Sequence, residues 1–157
     1  MQVARAHNGA MARLEIRITS PLPAPQAWAR VLDLRAHSAV IPLTTVTGAR
    51  LAAADLSPGA TFVARTALGP VGFDDAMVLD DVVQPTTSVA GRAGIRKTGR
   101  VVRGRVDLTV APTSTGSEVV WRQTIRVAGI PAFADPVVAR VARVAYGRTL
   151  RTLLARD

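Results

Sequence analysis

The segment ARLEIRITS (12–20) alternates strictly, with Leu14, Ile16 and Ile18 on one side and Arg13, Glu15 and Arg17 on the other. A period of two predicts a strand with one buried face. PLPAPQAWARVLDL follows. Its prolines pre-set a turn, Pro25 suits the first position of a helix, and Trp28, Val31 and Leu32 fall on one helical face. AHSAVIP (36–42) predicts a short second helix or turn that ends at Pro42. Then the period changes. TTVTGARLA (44–52), TFVARTAL (61–68), VGFDDAMVLDDVV (71–83), TSVAGRAGIRK (87–97), GRVVRGRVDLTVA (99–111) and SEVVWRQTIRVAG (117–129) all read as strands. The connectors LSPG, LGP, QPTT and PTSTGS are tight and favour antiparallel neighbours.

The last segment is helical. Asp135 is expected to cap it and Pro136 to take its first position. Val137, Val138, Val141, Val144 and Ala145 lead into Leu150, Leu153 and Leu154 as one apolar face, with Arg140, Arg143 and Arg151 on the other side. Gly147 interrupts the helix and marks a bend or a close contact. The order is one strand, two short helices, six strands and a long helix, an α+β chain. A seven-stranded antiparallel sheet cannot bury its inner face alone, so the long helix must lie across it. A curved sheet gripping that helix, with two small helices closing one end, encloses a space. Residues 1–11 read as a mobile polar leader carrying His7, and 12–157 as a single domain.

Composition narrows what that space can do. The chain has 157 residues, 48% of them hydrophobic, but aromatics make up only 4%, so any cavity wall must be mostly aliphatic. The net charge of +9 suggests nucleic acid as a partner. The detail argues against it. Of the 20 basic residues only Lys97 is a lysine, and the arginines are dispersed, without basic runs or interleaved aromatics. Abundant arginine and alanine fit GC-rich codon usage instead. There is no cysteine, which excludes disulfides, thiolate metal sites and a cysteine nucleophile. Two distant histidines, His7 and His37, build no metal site. A Gly-rich phosphate loop, a GxSxG elbow and an HExxH pair are all missing, so neither metal nor cofactor is expected. No apolar run is long enough for a signal or membrane span, and the expectation is a soluble cytoplasmic monomer or homodimer.

Strand parity then picks the candidate site. Val71, Phe73, Asp75, Met77 and Leu79 share one face; Gly72, Asp74, Ala76, Val78 and Asp80 share the other. The first set is the more apolar and should face the cavity. The adjacent aspartates therefore point opposite ways and are not a catalytic pair. Asp74 and Asp80 are expected to face outward, toward Arg92 and Arg96 of the next strand. Asp75 must find a backbone N–H, a hydroxyl or an arginine, or else serve as a polar anchor or acid/base in an apolar pocket. Arg100 is its partner, a group that greets an anionic ligand, or a solvated strand-end residue. Ile95, Val106, Leu108, Trp121 and Gln123 are expected on the cavity wall, with Val141 and Ala145 from the helix. His37 would close the mouth, and Tyr146 would reach the cavity or its rim; with Asp75 they are the candidates for acid/base work, each with a plain structural reading beside it.

The element order, the opening LEIRITSPLPAPQAWARVLDL, and GATF (59–62), LGPVGFDD (68–75), GRVVRG (99–104) and VVWRQ (119–123) resemble the START/Bet v 1-like (SRPBCC) superfamily, within it the actinobacterial polyketide cyclase/dehydrase-like group. The resemblance covers about residues 12 to 156. It implies a helix-grip fold: a seven-stranded curved antiparallel sheet around a long C-terminal helix, with two short helices after the first strand. It also implies a ligand, a small hydrophobic molecule such as a lipid, polyketide or aromatic metabolite, bound between sheet and helix. A cyclase, aromatase or dehydratase using Asp75, Gln123, His37 and Tyr146 on a poly-β-ketone is the alternative, and a protein-interaction module with a basic patch is a further one.

Overall fold

The computed structural model describes residues 11–157. The leader expected over 1–11, with His7, lies outside the described residues apart from Met11. The chain runs β1 (Ala12–Ser20), α1 (Ala24–Val31), α2 (Leu34–Val40), β2 (Thr44–Gly48), β3 (Thr61–Leu68), β4 (Val71–Val83), β5 (Gly91–Thr98), β6 (Val102–Thr113), β7 (Gly116–Val127) and α3 (Asp135–Ala155). All seven strands form one antiparallel sheet in the order β1-β7-β6-β5-β4-β3-β2. This is the helix-grip arrangement. Five successive hairpins build the sheet from β2 to β7, and β1 adds at the far edge against β7. The two short helices carry the chain from one edge to the other.

The main core fills the concave face. Leu14 and Ile16 of β1, Leu79 of β4, Ala93 and Ile95 of β5, Val106, Leu108 and Val110 of β6, and Val119 and Trp121 of β7 meet Trp28 and Val31 of α1 and Leu150 and Leu154 of α3. Each fully buried Leu or Val there contributes about 1.5–3 kcal/mol. α3 packs chiefly against β1, with lesser contacts to α1, α2 and β7. The helix thus lies toward one side of the sheet, which leaves space beside it.

Local chemistry moves several boundaries. Ala24 precedes Pro25 as the first residue of α1, and Ala134 rather than Asp135 occupies the N-cap of α3. Asp135 instead sits in the first turn, where a carboxylate still suits the positive end of the helix dipole. The Asp33 side chain caps α2 by accepting from the Ala36 N–H at 3.3 Å. β2 stops at Gly48, so residues 49–52 of the expected strand lie outside it, and a short 3-10 turn follows over Ala53–Asp55. β5 begins at Gly91, because the Thr86 hydroxyl takes the N–H groups of Ser88 and Val89 into a turn. Val89 is consequently exposed.

The apolar face expected along α3 is only half buried. Ala142, Leu150, Leu153 and Leu154 are inside, but Val137, Val141 and Val144 are exposed, as is Phe133 just before the helix at 87%. The first half of α3 lies over the end of the sheet, where Val138 and Ala139 pack on a small second cluster of Ala12, Val102 and Ile125 while Val137, Val141 and Val144 stay outside it. Val71 is exposed at that same end. Gly147 causes no break: α3 runs through it, and only the Arg151 side chain comes near.

Candidate functional site

The free concave surface forms an inner chamber and an outer groove. The chamber, of about 70 Å³, is walled by Val31, Leu34 and His37 from the helical segment, Phe62, Met77, Ile95 and Val106 from the sheet, and Trp121 and Tyr146. The groove, of about 450 Å³, lies between the ends of β3, β4, β6 and β7 and the first half of α3. Phe73, Val102, Ile125, Val141 and Ala145 are among its lining. Ile41, Ala64, Asp75 and Tyr146 line both spaces and so mark the passage between them.

One ion pair sits at that passage. Met77 of β4 is registered with Lys97 of β5, and Asp75 lies two residues along on the same face, so the two side chains meet diagonally. Lys97 Nζ donates to Asp75 Oδ2 and comes within 3.6 Å of Met77 Sδ. Asp75 Oδ1 is buried and has no partner. Above the pair, Tyr146 of α3 stacks on Trp121 with ring centroids 5.6 Å apart and an interplanar angle of 27°. The Lys97 ammonium lies 5.9 Å from the Tyr146 ring centroid, a separation at the outer limit of a cation–π contact. Burial alone pushes the Lys97 pKa down. The Tyr146 oxygen and the Asp75 carboxylate act the other way and prevail, so Lys97 sits above the ordinary lysine value and is charged at neutral pH.

His37 enters the chamber from α2. Its Nε2–H donates to the Val31 carbonyl at 2.8 Å, which leaves Nδ1 as the acceptor. Burial pushes its pKa down, and the Val31 hydrogen bond and the Asp33 charge offset that only in part. At neutral pH His37 is therefore an uncharged imidazole.

The structure brings most of the expected wall residues to one of the two spaces. Asp75 is at the passage; Met77, Ile95, Val106 and Trp121 line the chamber; Phe73, Val141 and Ala145 line the groove. Two do not line either. Leu108 is fully buried in the core. Gln123 is buried beside the chamber with its Oε1 taken by the Trp121 indole N–H at 2.9 Å. Arg100 is exposed, outside β6, and is not the partner of Asp75. That partner is Lys97. It shares the parity of Ala93 and Ile95, and this is the signal that places it inside. On the outer face Asp74 pairs with Arg65 of β3 at 2.8 Å, not with Arg92 or Arg96. Asp80 pairs with Arg96 at 2.9 Å as expected and also with Arg105 of β6 at 3.0 Å. Among the described residues no three His, Asp or Glu side chains converge as metal ligands would.

Residues 11–156 match the family described as polyketide cyclase / dehydrase and lipid transport. The chain belongs to that family. It has a Bet v 1-like, SRPBCC fold, and solved structures with low identity share the architecture. The ZhuI aromatase/cyclase from Streptomyces sp. R1128 superposes with a TM-score of 0.65 at 14% identity, covering 92% of each chain. Ara h 8.0201 gives 0.62 at 12% identity, over 94% of this chain and 100% of that one. A hypothetical protein from Helicobacter pylori gives 0.70 at 11% identity, over 97% and 90%. No curated protein matches the chain in sequence. No helix among the described residues is long and apolar enough to cross a membrane.

Proposed function

We propose that this family member binds a small, largely apolar molecule, its body in the groove beside α3 and its buried end at Asp75, Lys97 and Tyr146. The observation that carries this reading is the convergence of an aliphatic groove of about 450 Å³ on one buried ion pair. Ligand sites have this composition, a mostly apolar wall with a few placed polar groups, and this range of volume. Membership of a family described by cyclase, dehydrase and lipid-transport functions supports it. The test is titration with a fluorescent apolar probe, comparing the wild type with Ala145→Trp. Ala145 is exposed and lines the groove, so an indole there fills the groove without entering the core. Saturable binding is expected in the wild type and its loss in the folded variant. No binding to the wild type, or equal binding to both, overturns the reading.

A cyclase or dehydratase is the second reading. It is favoured by one observation: an unpaired carboxylate oxygen and a charged ammonium border the same chamber. Asp75 Oδ1 can accept a proton from carbon next to a ketone, while the Lys97 and Tyr146 donors steady the resulting oxyanion. The family description, polyketide cyclase / dehydrase, makes a polyketide such as a poly-β-ketone the substrate to try. Product profiles that are identical with and without the protein would end this reading.

A further inference from the structure

We infer that the cavity selects a neutral apolar molecule with a hydroxyl group at its buried end, and turns away the carboxylate built on the same skeleton. This rests on the reading of the cavity as a ligand site. The argument starts from how the ion pair is turned. The Lys97 side chain is 2% exposed and the Asp75 side chain 11% exposed. The cation is thus the hidden member, and the carboxylate is the member presented to the passage. Asp75 Oδ2 is committed to Lys97, while Oδ1 has no partner. A buried acceptor without a donor is costly, so the group that completes it is an O–H or N–H from the ligand.

The surrounding groups select the charge of that ligand. His37 Nε2 is spent on Val31, so the imidazole can offer the chamber only a second acceptor, Nδ1. Gln123 lines neither space; its Oε1 is held by the Trp121 indole and its buried Nε2 stays behind that ring without a partner. Lys97 is the only cation among the described residues lining the chamber and groove, and its charge is already balanced by Asp75. A carboxylate arriving at the passage meets a carboxylate oxygen with no free cation to receive it. An ammonium brings a second positive charge beside Lys97 into an apolar space. A hydroxyl supplies the missing donor and adds no charge.

The experiment uses the full chain and three probes of one shape: para-hexylphenol, its methyl ether para-hexylanisole, and para-hexylbenzoate. Each displaces a fluorescent apolar probe near neutral pH, where the benzoate is ionised and the phenol is not. The phenol is expected to bind about tenfold tighter than either of the others, the scale of one well-made hydrogen bond. Equal affinity for phenol and ether, or tighter binding of the benzoate, overturns the inference and leaves the cavity reading standing. Failure of all three to displace the probe, or of the probe itself to bind, brings down the cavity reading and the inference with it. In Asp75→Asn the Lys97 charge loses its counter-ion, and the preference is expected to swing toward the benzoate. A folded Asp75→Asn with the wild-type order of preference also overturns the inference. If that variant does not fold, the wild-type comparison decides alone.

Discussion

Asp74 and Asp75 are neighbours in sequence and occupy opposite electrostatic environments. Asp74 meets Arg65 on the outer face, with both side chains more than half exposed at 55% and 53%. Asp75 meets Lys97 on the inner face, where both are buried. One residue of strand pleat separates an ion pair immersed in water from one withdrawn from it.

Breaking the two pairs should therefore have very different effects. Lys97→Met leaves Asp75 without its cation, and the expected loss is about 3–5 kcal/mol. Asp74→Asn should change stability by no more than about 1 kcal/mol, because solvent and salt screen the exposed pair. Replacing both inner residues with apolar ones, Asp75→Leu with Lys97→Met, should recover most of the loss. Urea denaturation of the four proteins measures this. A Lys97→Met chain as stable as the wild type would show that the inner pair contributes nothing net.

Acid should weaken the fold through His37. The unfolded imidazole titrates near its ordinary value of about 6.5, whereas burial holds the folded one lower. Above about 6.5 both states are neutral and His37 makes no pH-dependent contribution. As the pH falls through that value, the unfolded chain takes up a proton that the folded chain refuses, and stability drops until the folded pKa is passed. The urea midpoint should decline between pH of about 7 and about 5.5, and His37→Gln should decline less over that window. Parallel declines would assign the acid sensitivity to other groups.

The parity of 71–79 places Asp75 inside and Asp74 outside, and both lie there. Periodicity could not supply what depends on distant elements. Two consecutive carboxylates, Asp80 and Asp81, both reach Arg105, at 3.0 and 3.3 Å. Strict alternation forbids that, but the register between β4 and β5 shifts between Leu79 and Asp81. Nothing in VLDDVV marks the shift, since no glycine or proline punctuates it. The exposed Val137, Val141 and Val144 follow the same logic. Helical spacing shows which residues share a face, but not how far the sheet extends beneath it. Lys97 was legible in principle, as the single lysine of the chain on the inward parity of β5.

Two glycines should respond in opposite directions to an added methyl. Gly104 has φ +147°, and a Cβ there would stand 1.9 Å from the Thr124 carbonyl oxygen. That atom is backbone in the adjoining strand and cannot step aside, so Gly104→Ala should not fold. Gly147 lies inside α3, and its added Cβ would meet only the guanidinium tip of Arg151, at 3.1 Å. That tip is flexible, so the gain in helix propensity should dominate. Gly147→Ala is expected to be more stable by about 0.5–1 kcal/mol. Thermal denaturation tests both. A destabilised Gly147→Ala would mean that α3 needs the glycine for a motion the static packing does not display.

The two tryptophans offer an internal control for occupation of the chamber. Trp121 lines it and stacks on Tyr146 at the passage. Trp28 is buried in α1 and lines neither chamber nor groove. A ligand whose end passes Asp75 must change the surroundings of the Trp121 indole and leave those of Trp28 as they were. Adding para-hexylphenol should shift the intrinsic fluorescence of the wild type and of Trp28→Phe, and leave that of Trp121→Phe unchanged. Trp121→Phe also frees Gln123 Oε1 from the indole N–H, so its fold is checked by circular dichroism before the titration. A shift that survives in Trp121→Phe and vanishes in Trp28→Phe would place the bound molecule outside the chamber. A response in neither single variant would mean that the ligand stops in the outer groove, short of the ion pair.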